Sequence, residues 1–173
     1  ALKGYNFKGH FEYNFGLIFG MQATLDNQLM KTLPVYFSEK SIFFAWKKSN
    51  NGAEKLNFSG NVTFNHIEVN EGGGLNAQTG VFRAPEAGTY GFSCSSLTGN
   101  VKHWTRVDVY KGGRLNHAFH DGNSSIEYNN IGASWMFKLR QREEVCLQVV
   151  HGKLHASSDS FVHFTGWLLK ADE

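Results

Sequence analysis

The side chains able to do chemistry fall into three groups, histidines, cations and oxygen donors. His117 and His120 precede Asp121, and His151 and His155 stand four apart. A metal centre on a β scaffold would draw on histidines like these, and needs three or four converging ligands. Spacing of i and i+4 puts two side chains together only on a helix, whereas residues 145–155 read as strand and turn. On a strand His117 and His120 point to opposite faces, so a catalytic metal is not expected. A nucleophile is not expected either: Gly91-Phe92-Ser93-Cys94 lacks the elbow pattern, and Gly72-Gly73-Gly74 is not followed by the Lys-Ser or Lys-Thr of a phosphate loop. The chain reads as non-enzymatic. Its cations suggest binding instead. Lys102, His103, Arg106 and Arg114 fall near one apparent hairpin. A guanidinium grips carboxylate or phosphate through two parallel hydrogen bonds, so a patch there could take anionic sugars or microbial polyanions. His103 or His120 could make such binding depend on pH near neutrality.

Strand-forming stretches must position these groups. Tyr90 and Phe92 alternate with Thr89, Gly91 and Ser93, the period of a strand with one face in a core. Ala133, Trp135, Phe137 and Leu139 form another inward set, as do Val145, Leu147 and Val149, and Phe164, Gly166 and Leu168. Glu71-Gly72-Gly73-Gly74, Ala84-Pro85-Glu86-Ala87-Gly88 and Lys111-Gly112-Gly113-Arg114 are turn signals. Residues 121–132 read as a polar loop. Many short strands with few helix signals predict an all-β, two-sheet antiparallel sandwich over residues 41–173. Residues 1–40 form an N-terminal extension in which Ile18, Met21, Leu25, Leu29 and Leu33 recur at helical spacing before Pro34. That segment could pack on the domain or help chains associate.

Composition closes off several function classes. With 173 residues and 41% hydrophobic content, one domain with a sizeable core is expected. A formal charge of +2 is too mild to argue for nucleic acid. No stretch approaches the ~18 apolar residues of a membrane span, and the 19 Gly show no three-residue period of the collagen kind. The chain begins at Ala1 without Met or a signal-like core, as a mature secreted product or a trimmed chain would. Asn57, Asn61 and Asn123 head N-glycosylation triplets, which also points to secretion. Alternation turns Cys94 inward and Cys146 outward, so two unpaired thiols are expected rather than a disulfide.

Phe64, Asn70, Leu75, Phe82, Gly88, Tyr90 and Phe92 stand in one register that resembles the motif of the globular C1q domain. The final aromatic place of that motif holds Cys94. Ile42-Phe43-Phe44-Ala45 resembles the family's opening strand, and Phe164 to Leu169 its closing Phe-Ser-Gly-Phe-Leu-Leu. The likeness covers roughly residues 41–170. It implies a jelly-roll path and an assembly of three identical chains about a threefold axis. It also implies a possible structural calcium near the apex, for which Asp121 follows Phe119-His120 at the matching place. Asp121, Glu127 and Asn129 would supply oxygen ligands of the kind calcium prefers; no other cofactor is implied.

The outward residues agree with assembly. Phe161, Trp167 and Leu169 oppose the inward set of their strand, and Met136 and Val150 oppose theirs. A monomer would expose them as a patch, so they are expected to fill contacts in a homotrimer, unless the N-terminal extension covers them. The function so expected is a secreted recognition protein that binds glycans or microbial surfaces in innate immunity. The alternatives are a ligand for a cell-surface receptor, of the cerebellin or C1q/TNF-related type, and an extracellular structural protein.

Overall fold

The computed structural model describes residues 41–49, 54–56, 60–98, 104–122, 128–157 and 161–172. The proposed extension 1–40, with its helical stretch, lies outside them, as do Lys102, His103, Glu127 and the sequon asparagines Asn57 and Asn123. Among the described residues every regular element is a strand. In chain order these are β1 (Ile42–Lys47), β2 (Glu54–Leu56), β3 (His66–Glu71), β4 (Leu75–Asn76), β5 (Val81–Arg83) and β6 (Gly88–Thr98). Then follow β7 (Arg106–Lys111), β8 (Arg114–His120), β9 (Asn130–Leu139), β10 (Glu144–His151), β11 (Leu154–Ala156) and β12 (Val162–Ala171).

They form two antiparallel sheets. One runs β2-β11-β6-β12-β1-β3, with β9 on the other side of β6; the second runs β4-β5-β10-β7-β8. First and last strands pair in the middle of the larger sheet, Phe43 opposite Gly166 and Ala45 opposite Phe164. Neighbours in space are thus far apart in sequence, which is how a jelly roll distributes its chain between layers.

Alternation builds the core as the sequence predicts. Phe43, Tyr90, Phe92, Phe164, Phe82, Val109, Val145 and Leu147 are each no more than 1% exposed. Phe92 sits at the centre of the aromatic cluster, with ring centroids of Phe82 at 5.4 Å, Trp135 at 5.9 Å and Phe164 at 6.0 Å. Gly166 leaves room for this: a Cβ there would run into the Phe43 ring, standing 2.8 Å from its Cζ and closer still to its Cε1, and would lie 2.9 Å from Phe92 Cδ1.

Two motif residues have local jobs. The Asn70 amide donates to Leu75 O at 2.8 Å, and its oxygen accepts from Leu75 N at 3.1 Å. The side chain thus acts as a short stretch of ladder closing the glycine turn, where Gly72 and Gly73 lie at φ 76° and 64°. Tyr90 donates its hydroxyl to Glu86 O at 2.9 Å, pinning the Ala84–Gly88 corner, and burial pushes its phenol up.

The expected polar loop is shorter than the sequence suggested. Asn130, Ile131 and Gly132 already belong to β9, paired with Leu97, Ser96 and Ser95. The ladder to β6 recruits them because Ile131 is buried while its neighbours are exposed, the burial pattern of a strand. Cys94 is buried and Cys146 half-buried, and neither is bonded. Burial pushes the Cys94 thiol up to about 12 and raises that of Cys146, with Glu144 adding to the second.

Candidate functional site at the Trp104 end

β7 and β8 form a hairpin on the smaller sheet, and its register decides which cations meet. Arg106 pairs with His120 at the open end, whereas Lys111 pairs with Arg114 at the turn. The expected grouping of Arg106 with Arg114 is therefore not formed. The five residue steps from 106 to 111 separate them by about 16 Å at ~3.3 Å per step. Lys102 and His103 lie outside the described residues.

At the open end Arg106 is also opposite His151 of β10, so His120, Arg106 and His151 make a row across three strands. Trp104 covers the row. Its ring stacks on His151 with centroids 4.2 Å apart and stands edge-on to His120 at 6.2 Å. It is still 39% exposed, which makes it an aromatic platform. A depression of about 510 Å³ opens beside it, lined by Trp104, Arg106, Ala118, His120, Asp121 and Gly122.

The frame under this depression is tied down. Thr105 N–H donates to the Asp121 carboxylate, and Asp121 N–H donates to Thr105 O at 3.1 Å. Gly152, at φ +72°, lets the β10–β11 turn close in: a Cβ would lie 2.7 Å from Trp104 O. Arg106 donates from Nε to Asp108 Oδ1 at 2.6 Å, and Asp108 is only 4% exposed although it points away from the core. Asp108 thus fixes the guanidinium, whose outer nitrogens are the ones presented to solvent.

Such a surface suits a polyhydroxylated ligand. The C–H face of a sugar ring packs on an exposed indole, while carboxylate, guanidinium and imidazole around it satisfy hydroxyls. Sequence reasoning singled out Arg106 and Asp121 for separate roles and missed Trp104. A tryptophan in a polar stretch just before a strand was the available signal.

The proposed oxygen-ligand set is not gathered by the described residues. The Asp121 carboxylate already accepts from Thr105, Asn129 is paired through its backbone with Thr98, and Glu127 lies outside the description. Among the described residues no group of three His, Cys, Asp or Glu is placed to hold a metal. The Asn61 amide donates to Thr79 O at 3.1 Å while its oxygen accepts from Gln148 at 3.0 Å, so this sequon is stitched into the fold.

A second surface lies on the outer face of the larger sheet. Met136 is 69% exposed, and Gly91, its cross-strand neighbour, lies under the Trp167 ring. Phe44 stands 5.0 Å from Trp46 and 5.6 Å from His163, and Trp46 stacks on His66 at 4.1 Å. Leu169 is exposed on the same strand as Trp167, at the bulge between Leu168 and Lys170. Two of the expected interface residues lie apart from this face. Val150 is exposed at a bulge of β10 on the smaller sheet, and Phe161 precedes β12 beside the His155 ring. Strand alternation tells inward from outward, but not which sheet a strand joins.

A family model for the C1q domain matches residues 42–169. Complement C1q tumor necrosis factor-related protein 3 of Mus musculus is 31% identical over 122 residues, covering 65% of this chain and 46% of that protein. Its Homo sapiens counterpart matches to the same extent, so the matched segment spans about half the length of these relatives. Among solved structures, the globular domain of zebrafish complement 1qA protein has a TM-score of 0.62 at 17% identity, covering 77% of this chain and all of that one. Eiger TNF from S. frugiperda has a TM-score of 0.59 at 9% identity, covering 77% of this chain and 94% of the other. Murine APRIL at pH 5.0 also scores 0.59, at 18% identity over 75% of this chain and 98% of its own. At these identities the structural likeness speaks for the fold.

Proposed function

We propose, from the premise that this chain belongs to the C1q-domain family, that it is a secreted, non-enzymatic recognition protein. It assembles as a homotrimer and binds glycans of microbial surfaces in innate defence. The observation that carries the reading is the exposed Trp104 platform flanked by His120, Arg106 and Asp121. The outer apolar face of the larger sheet supports assembly, since Met136, Phe44, Trp46 and Trp167 would be covered by a neighbouring copy. Three weak sites on one trimer gain avidity on a repeating surface. The calcium expected near Asp121 belongs to this proposal as well. Among the described residues no helix is long and apolar enough to cross a membrane.

Binding of the whole chain to immobilised glycans and bacterial polysaccharides, with and without chelator, tests the reading. Trp104→Ala should weaken binding about tenfold or more as three sites lose their platform together. Loss of binding on chelation supports the cation, and retention removes it. No binding by the wild-type chain to any glycan overturns the proposal. A second reading, a soluble ligand for a cell-surface receptor, is favoured by the relatives' designation as tumor necrosis factor-related proteins. It gains if glycans fail and one membrane protein is captured in a way that outer-face variants do not disturb.

A further inference from the structure

At the turn end of the β7–β8 hairpin, away from Trp104, the chain builds a second and chemically different cleft. It encloses about 650 Å³ and is lined by Lys111, Arg114, Lys138 and Arg140, with Glu143, Asp172 and small residues between them. Three chain reversals frame it. Gly112 N–H donates to Glu144 O at 2.8 Å, Arg140 N–H donates to the Glu143 carboxylate at 2.9 Å, and Asp172 N–H donates to Ala87 O at 2.9 Å. The cations are therefore held on rigid turns rather than on a loose tail.

Their pairing is uneven. Lys111 lies 4.0 Å from Glu143, donates to Lys138 O at 2.7 Å and rests over the Phe137 ring at 5.6 Å. Lys138 lies 3.2 Å from Asp172. The two carboxylates are thus taken by the two lysines, and both guanidiniums, Arg114 and Arg140, have no ion pair among the described residues. Both are exposed and belong to one cleft. Unpaired guanidiniums on a rigid concave frame present forked donors matched to oxyanions, and exposure keeps the desolvation cost low. The lining offers Leu139 and Ala87 as its apolar side chains, which leaves little for an acyl chain or an aromatic anchor. The partner it fits is an oxyanion carried on a hydrophilic backbone.

We propose that this cleft binds sulfate esters of a sulfated polysaccharide, independently of the Trp104 surface. Arg114 and Arg140 grip sulfate oxygens, and Lys111 and Lys138 add a positive field that draws the polyanion in. The site stands on its own geometry and does not depend on the glycan reading of the other end.

The test is binding of the full chain to heparin and to desulfated heparin at about 0.15 M salt, where long-range surface attraction is largely screened. Heparin should bind, and desulfated heparin, which keeps its carboxylates, should bind at least about tenfold more weakly. The double variant Arg114→Gln/Arg140→Gln should lose heparin affinity by about tenfold or more with an unchanged unfolding midpoint, because both side chains are exposed. Lys47→Gln/Lys153→Gln removes the same charge elsewhere and should keep wild-type affinity. Equal losses in both double variants would reduce the effect to net charge and overturn the site. So would equal binding of desulfated heparin, or no heparin binding at all. Trp104→Ala should leave heparin affinity intact, so failure at either end can be told from failure at the other.

Discussion

Phe43 and Phe44 are neighbours on β1 with opposite fates. Phe43 is 1% exposed and sits among Phe82, Phe92 and Phe164, whereas Phe44 faces outward with Trp46 and His163. The same contrast runs across the sheet as a pair of glycines. Gly166 is covered by Phe43 and Phe92 on the inner face, and Gly91 by Trp167 on the outer face. Both faces use an aromatic ring laid over a cross-strand glycine. The inner ring is enclosed by the second sheet, while the outer one is only half-buried. One face therefore holds the fold together, and the other is free to serve assembly.

The contrast fails most visibly if interior and exterior changes have equal cost. Phe92→Ala should destabilise the chain by about 3–5 kcal/mol through lost transfer energy and a cavity, read by chemical denaturation. Phe44→Ala, measured at a dilution where single chains dominate, should cost far less. Met136→Glu should leave the melting of a single chain nearly unchanged yet weaken self-association by about a hundredfold, or ~2.7 kcal/mol, in sedimentation. An unaltered association state would mean that the outer face is not the one used. Gly166→Ala should cost about 1–3 kcal/mol by overpacking. Gly91→Ala should cost less, because the half-exposed Trp167 ring can tilt into solvent.

The smallest effect concerns the thiols. Burial disfavours the thiolate and pushes the Cys94 thiol from its ordinary value near 9.0 up to about 12 in the folded chain. Above pH 9 the unfolded chain releases a proton that the native chain retains, so stability falls as pH rises through that range. By about pH 9.5 its share of the loss should be just under 1 kcal/mol, and Cys94→Ala should remove that share while the smaller one from Cys146 stays. Urea titrations at pH 8 and 9.5 on both forms decide this.

Much of this contrast was legible beforehand. Alternation alone separates Phe164, Gly166 and Leu168 from Trp167 and Leu169, since a strand's side chains must change face at each step. Assignment of strands to sheets was not legible, because it depends on long crossovers. Val150 accordingly reads like Met136 in the sequence and lies on the other sheet. The split between Arg106 and Arg114 was latent in the turn at Lys111–Arg114: counting back from 111 opposite 114 puts 106 opposite 119, and the bulge between Val109 and Tyr110 moves its partner one further, to His120. Proximity in sequence hid what ladder register decides. Trp104 escaped notice because an isolated aromatic before a strand carries no periodic signal, and its role comes from His151, which a different strand supplies.

The β7–β8 hairpin behaves as a molecular ruler. Its two tips hold unlike chemistry at a spacing set only by residue count, and each face repeats every second residue. A paired insertion of two residues in each strand would lengthen it by ~6.6 Å without turning any side chain to the wrong side. Evolution or design could retune the reach between the two surfaces that this ribbon spans while leaving both grips unchanged.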